Sequence, residues 1–88
     1  MEQRKEMLLE IVTPQGVFLS QKVTFIKAPG VKGEFGILAN HISFYSILND
    51  GTIEYDAGSR KRIAIIGGIL ECVRNKITVM TKSAEILN

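Results

Sequence analysis

Apolar residues in this chain recur at every second position, and no stretch sustains a helical period. Leu9 and Ile11 alternate around Glu10, Ile53 and Tyr55 alternate with Thr52, Glu54 and Asp56, and Ile77, Val79 and Thr81 stand against Lys76, Thr78 and Met80. Side chains of a strand point alternately to its two faces, so this pattern describes half-buried β-strands. Turn sequences break the pattern at Thr13-Pro14-Gln15-Gly16, Asn49-Asp50-Gly51, Ala57-Gly58-Ser59 and Arg74-Asn75. Further strands are predicted at Val17-Phe18-Leu19, at Val23 to Ile26, over Ile42 to Leu48, at Ile63 to Ile66 and at Ile69 to Val73. About eight to ten short strands, punctuated roughly every 8–12 residues, imply an all-β sandwich or barrel. The tail from Ser83 to Asn88 is the one place left for a helical turn, and it is too short to hold a helix alone.

The chain has 88 residues, enough for one small domain, with the first six expected as a flexible N-terminus. At about this length only some 60–70% of the unfolded surface is buried, so a partner surface is a natural supplement to a thin core. Apolar residues make up 45% of the chain, which argues for a folded globule. The net charge of +2 is spread along the sequence, too weak for a dedicated nucleic-acid binder. Cys72 is the sole cysteine, so no internal disulfide can form and a reducing compartment is favoured. The mixed-charge start, Met1 to Glu6, leads into no long apolar stretch, so no signal peptide is expected, nor is a membrane-spanning helix.

The run Ala28-Pro29-Gly30-Val31-Lys32-Gly33-Glu34-Phe35-Gly36-Ile37-Leu38-Ala39-Asn40-His41 spaces three glycines three apart and ends in the sole histidine. Glycine admits backbone angles and close approaches that other residues resist, so the run reads as a shaped, turn-rich loop. It lacks the Gly-Lys-Ser/Thr ending of a phosphate loop, and its glycine spacing is not that of a dinucleotide fingerprint. Glu34 is either a solvated acid or a charge aimed at a basic partner. His41 is either a surface residue or an interface residue. Phe44-Tyr45, close by, is either core or part of a partner patch.

Catalytic groups are scarce. One imidazole and one thiol cannot close a zinc site, which takes four ligands. A Cys72–His41 nucleophilic pair is formally possible, but Cys72 stands in an apolar strand without an activating charge, so a buried inert thiol is the better reading. No paired carboxylates or Ser-His-Asp set emerges, so neither autonomous catalysis nor a cofactor or metal is expected. Arg60-Lys61-Arg62 reads as a solvated hairpin tip. Its rival is a nucleic-acid grip on a small β-barrel, in which Tyr55 would be the only nearby stacking platform.

An ordered set of segments carries a family resemblance: Leu9 to Gly16, Ala28-Pro29-Gly30, Gly33 to Leu38 with His41, Gly67-Gly68-Ile69-Leu70-Glu71, and Lys76 to Thr81. Their order and spacing resemble the epsilon subunit of the F-type ATP synthase, specifically its N-terminal β domain, from about Leu8 to Glu85. The resemblance implies a flattened sandwich of two five-stranded sheets and a non-catalytic place in the central stalk. There the domain would clamp the base of the gamma subunit, rest on the ring of c subunits and couple ion flow to ATP synthesis. It also implies that Glu34 and His41 belong to the loop facing the c-ring and the foot of gamma, and that Thr13 and Ser46 lie near gamma. The chain departs from the family with Ala39-Asn40 before the histidine, where Pro-Gly is usual, and with Ile42-Ser43-Phe44-Tyr45 after it, where Ala-Pro-Leu-Leu is usual. The family commonly adds two C-terminal helices that inhibit hydrolysis and in some members bind ATP. This chain stops at Asn88, where they would begin, so neither property is implied. The expected location is the cytoplasmic face of a bacterial inner membrane, as a peripheral component, with the stromal face of a plastid thylakoid as the alternative.

Overall fold

The computed structural model describes residues 5–40 and 43–87. Ten strands follow one another: β1 (Met7–Thr13), β2 (Gly16–Val23), β3 (Phe25–Gly30), β4 (Gly33–Ile37), β5 (Phe44–Leu48), β6 (Gly51–Asp56), β7 (Arg60–Ile65), β8 (Gly68–Val73), β9 (Lys76–Met80) and β10 (Ala84–Leu87). They form one hydrogen-bonded ladder in the order β10-β7-β6-β3-β5-β8-β9-β1-β2, with β4 paired to β3. The joint between β3 and β5 is a single residue pair, Gly30 opposite Leu48. Parting the ladder there leaves five strands on each side, the two layers of a nearly closed sandwich. All pairings are antiparallel except β1 with β9, which is parallel.

The inward face repeats the period-two pattern. Leu9, Ile11, Ile26, Ile53, Ile63, Leu70, Ile77 and Val79 are buried between the layers. Burying such a side chain completely stabilises the fold by about 1.5–3 kcal/mol, so eight of them make the principal force holding the layers together. Leu19, Phe35, Phe44 and Ala84 pack on the rim of this core.

Three expectations change. The glycine run is mostly strand: β3 and β4 form a tight hairpin whose turn is Val31-Lys32, closed by the Gly30–Gly33 pair. The glycines serve the pairing itself. Gly33 has φ +124°, and a Cβ on Gly30 would lie 2.8 Å from the Phe35 ring. Period-two alternation is masked here because glycine stands where an apolar side chain would otherwise show. Second, the tail forms strand β10, held by pairing with β7 over Ala84–Leu87, where an open sheet edge offers it hydrogen bonds. Third, β2 is longer than Val17–Leu19 and ends at Val23, and β3 starts separately at Phe25.

A clamp ties the end of β9 to the β7–β8 link and to the start of the tail strand β10. The Thr81 hydroxyl, buried, donates to the Gly67 carbonyl at 2.7 Å, with the Ile66 and Ser83 carbonyls at 3.1 and 3.2 Å. Gly68 beside it has φ +134°, and a Cβ there would lie against the Met80 carbonyl oxygen and overlap it.

Candidate functional site

The two outer faces of the sandwich differ in kind, because each strand presents outward whatever it does not bury. On the β4-β3-β6-β7-β10 layer the charged outward residues are matched with one another. Lys27 on β3 stands opposite Glu54 on β6, and Glu54 opposite Arg62 on β7. Lys27 Nζ lies 3.4 Å from Glu34 Oε1, and Arg60 donates to Glu54 Oε1 at 3.2 Å. The Arg60 guanidinium also covers the Phe25 ring, 5.1 Å from its centroid. A cleft of about 520 Å³ on this side is lined by Lys5, Thr24, Phe25, Leu38, Ala39, Asp56 and Arg60. Its arginine is already engaged, and its acid, Asp56, accepts the Gly58 N–H at 3.1 Å.

On the β5-β8-β9-β1-β2 layer the outward residues form an apolar row. Ile47 stands opposite Ile69, Ile69 opposite Met80, Met80 opposite Val12, and Val12 opposite Val17. Neighbouring strands are about 4.8 Å apart, so this row runs unbroken for about 19 Å across the sheet. Ile47 and Val17 are 60% and 61% exposed, Ile69 and Met80 44% and 46%. Tyr45, 77% exposed, extends the patch along β5. Val31 at the hairpin tip adjoins it, its N–H donating to the Ile47 carbonyl at 3.1 Å. Contiguous exposed apolar surface of this kind marks a place where something docks.

The residues singled out from sequence fall in different places. Glu34 lies on β4, opposite Pro29, and its carboxylate faces Lys27 on the charged side. Thr13 closes the β1–β2 turn: its hydroxyl oxygen accepts the Gln15 N–H at 3.3 Å. Ser46 stands opposite buried Leu70, so it shares the inward side of β5. Its hydroxyl donates to the Ile47 carbonyl at 3.2 Å. Among the described residues no ion pair or side-chain hydrogen bond joins these three to one another. His41 lies outside the described residues. The segment just before it is tied down: the Asn40 N–H donates to Asn75 Oδ1 at 2.6 Å and Asn75 Nδ2 donates to Asn40 Oδ1 at 3.2 Å. Asn75 and Arg74 form the β8–β9 turn with positive φ at both positions, 63° and 49°.

The structure also resolves the open alternatives. Phe44 turns inward and meets Phe35 edge-on, with centroids 5.9 Å apart, whereas Tyr45 turns outward. Tyr55 is buried, and burial pushes its phenol pKa up, so it offers no stacking platform beside Arg60-Lys61-Arg62. That basic run lies within β7, not at a hairpin tip. Cys72 is buried, and burial pushes its thiol pKa up, away from a reactive thiolate. Among the described residues no group of three or more His, Cys, Asp and Glu converges on a metal-sized site. The apolar row was missed in the sequence because its members lie on five strands. The available signal was apolar residues on both faces of one strand, as in Ile47-Leu48 and Ile69-Leu70.

These features define a two-layer β-sandwich with charge pairs on one outer face and an apolar row across the other. The chain belongs to the family of the ATP synthase delta/epsilon chain β-sandwich domain, whose model matches residues 6–87. The ATP synthase epsilon chain of Nitratidesulfovibrio vulgaris (strain Miyazaki F) is 51% identical over 82 residues, covering 92% of this chain and 61% of that protein. The epsilon chain of Maridesulfovibrio salexigens is 47% identical over 81 residues, covering 91% of this chain and 57% of that protein. The chain thus spans about six-tenths of the length of these relatives. A chain in the Euglena gracilis mitochondrial ATP synthase, solved as OSCP/F1/c-ring, shares the fold with TM-score 0.87 at 22% identity, over 92% of this chain and 53% of that one. A chain of the Tetrahymena thermophila central stalk and c-ring matches with TM-score 0.77 at 14% identity, over 94% of this chain and 68% of that one.

Proposed function

We propose that this domain is a non-catalytic central-stalk module of an F-type ATP synthase, docking on the gamma subunit and the c-ring and carrying torque between them. The observation that carries this reading is the apolar row on one outer face, set against a charge-paired opposite face. A standard interface takes about 800 Å² from each partner. The domain exposes 5733 Å², so docking would use roughly a seventh of its surface, most of the β5-β8-β9-β1-β2 face. The unbroken ladder suits the role, because load entering one layer passes through hydrogen-bonded strands and not through a mobile linker.

In this reading Glu34 and His41 face the c-ring and the foot of gamma, and Thr13 and Ser46 lie near gamma. Thr13 follows Val12 of the row, which supports its place, whereas Ser46 turns inward between the outward Tyr45 and Ile47 and would lie beneath the contact. Glu34 would exchange Lys27 for a cation on the partner. Exposed pairs are worth about 0–1 kcal/mol, so the exchange orients the contact more than it holds it. The module would act at the cytoplasmic face of a bacterial inner membrane, or at the stromal face of a thylakoid, through the complex. Mixed with its cognate gamma subunit at micromolar concentration, the protein is expected to co-elute with it on size exclusion. Separate elution of two folded proteins overturns the reading.

A further inference from the structure

Beside the apolar row runs a second outward row: Tyr45 opposite Glu71, Glu71 opposite Thr78, Thr78 opposite Glu10, and Glu10 opposite Ser20. It lies two residues along β5, β8, β9 and β1 and three along β2, where a bulge shifts the register, about 7 Å away. Glu10 and Glu71 thus flank one long edge of the patch, separated by Thr78. Neither carboxylate has a cation within ion-pair distance among the described residues, whereas Glu34 and Glu54 on the opposite side do. The row beyond carries Lys76 opposite Leu8, and Leu8 opposite Lys22.

We infer that this face is shaped for a protein partner that presents a straight apolar ridge bordered on one side by Lys or Arg. The ridge covers Ile47, Ile69, Met80, Val12 and Val17, and the cations meet Glu71 and Glu10. Charge complementarity selects this occupant: an apolar ridge alone would leave two carboxylates unpaired at the rim of a drying interface, which costs affinity. The bordering acids also set the direction in which the ridge can lie, since a reversed ridge puts its cations on the wrong side. This inference rests on the proposed function, because it describes the surface that gamma must offer.

The test measures the dissociation constant for the cognate gamma subunit across salt concentrations, for the parent protein, Glu10→Gln/Glu71→Gln, and Glu71→Lys alone. Two exposed pairs predict a loss of roughly 3- to 10-fold at low salt for the double variant, with a flatter salt dependence. Glu71→Lys, at an exposed position that does not threaten folding, is expected to weaken binding at low salt and to recover as salt rises. Glu85→Lys on β10, in the opposite layer, is expected to bind as the parent does. Parent-like affinity and salt dependence in both the double variant and Glu71→Lys overturn the inference while leaving the proposed function standing. No complex between parent protein and gamma at any salt overturns both. Self-association of the isolated protein that Ile47→Asp abolishes and gamma cannot displace assigns the face to a second copy and overturns the inference.

Discussion

Replacing Ile47 by Asp separates docking from folding. Ile47 is 60% exposed on the outer side of β5, so the inward core is untouched. Complete burial of an isoleucine is worth about 1.5–3 kcal/mol, and the 60% still open in the free domain accounts for about 1–2 kcal/mol of that on docking. The new carboxylate adds the cost of an unpaired charge in a drying interface, about 2 kcal/mol or more. It also sits diagonal to Glu71, which faces Tyr45 two positions along. Together these raise the dissociation constant for gamma by about a hundredfold to a thousandfold. The cost to the fold is the lower strand preference of Asp, at most about 1 kcal/mol, together with about 1 kcal/mol for the part of the isoleucine already covered in the free domain. Titration calorimetry with gamma and a thermal melt by circular dichroism read the two terms separately. An unchanged dissociation constant with an intact melt refutes the assignment of the apolar row to docking. A melt lowered as far as for a core substitution refutes the statement that Ile47 stands outside the core.

Three further outcomes follow from the fold. Gly68→Ala forces a side chain into the Met80 carbonyl at a φ of +134°, so it is expected to cost about 3 kcal/mol or more and to appear as a large drop in melting temperature. Thr81→Val keeps the shape but removes the donor to the Gly67 carbonyl, costing about 1–2 kcal/mol in denaturant titration. Alkaline pH is expected to destabilise the fold: the Cys72 and Tyr55 pKa values are raised by burial above 9.0 and 10.0, so the unfolded state releases these protons first. The stability they contribute is full below about pH 9 and falls as pH rises through their folded values, and Cys72→Ala should soften the early part of that fall.

Strand composition and turn chemistry were legible in the amino-acid order alone, because alternation and turn residues are local properties. Leu9, Ile11, Ile53, Ile77 and Val79 declare their inward side by spacing, and Asn49-Asp50-Gly51 and Arg74-Asn75 declare where the chain reverses. The resemblance to the epsilon subunit rested on residue order and matched the family found. The β3–β4 hairpin was not legible as strand, because its glycines give the rings of Phe25 and Phe35 room instead of displaying alternation. Strand β10 was not legible either, since four residues become a strand only when an open edge at β7 pairs with them.

Which residues face inward, and that the chain must be β, came from the sequence by itself. Which outward residues meet one another came from the tertiary structure. Ile47, Ile69, Met80, Val12 and Val17 are scattered along the chain, and only the register of four ladders brings them into one line. Register is a long-range property: it is set where two strands bury a shared core, and a slip of one residue in any of these strands would turn its member of that line inward. The same register gathers Glu10 and Glu71 on one border of the patch and leaves Glu34, nominated by sequence, paired with Lys27 on the far side.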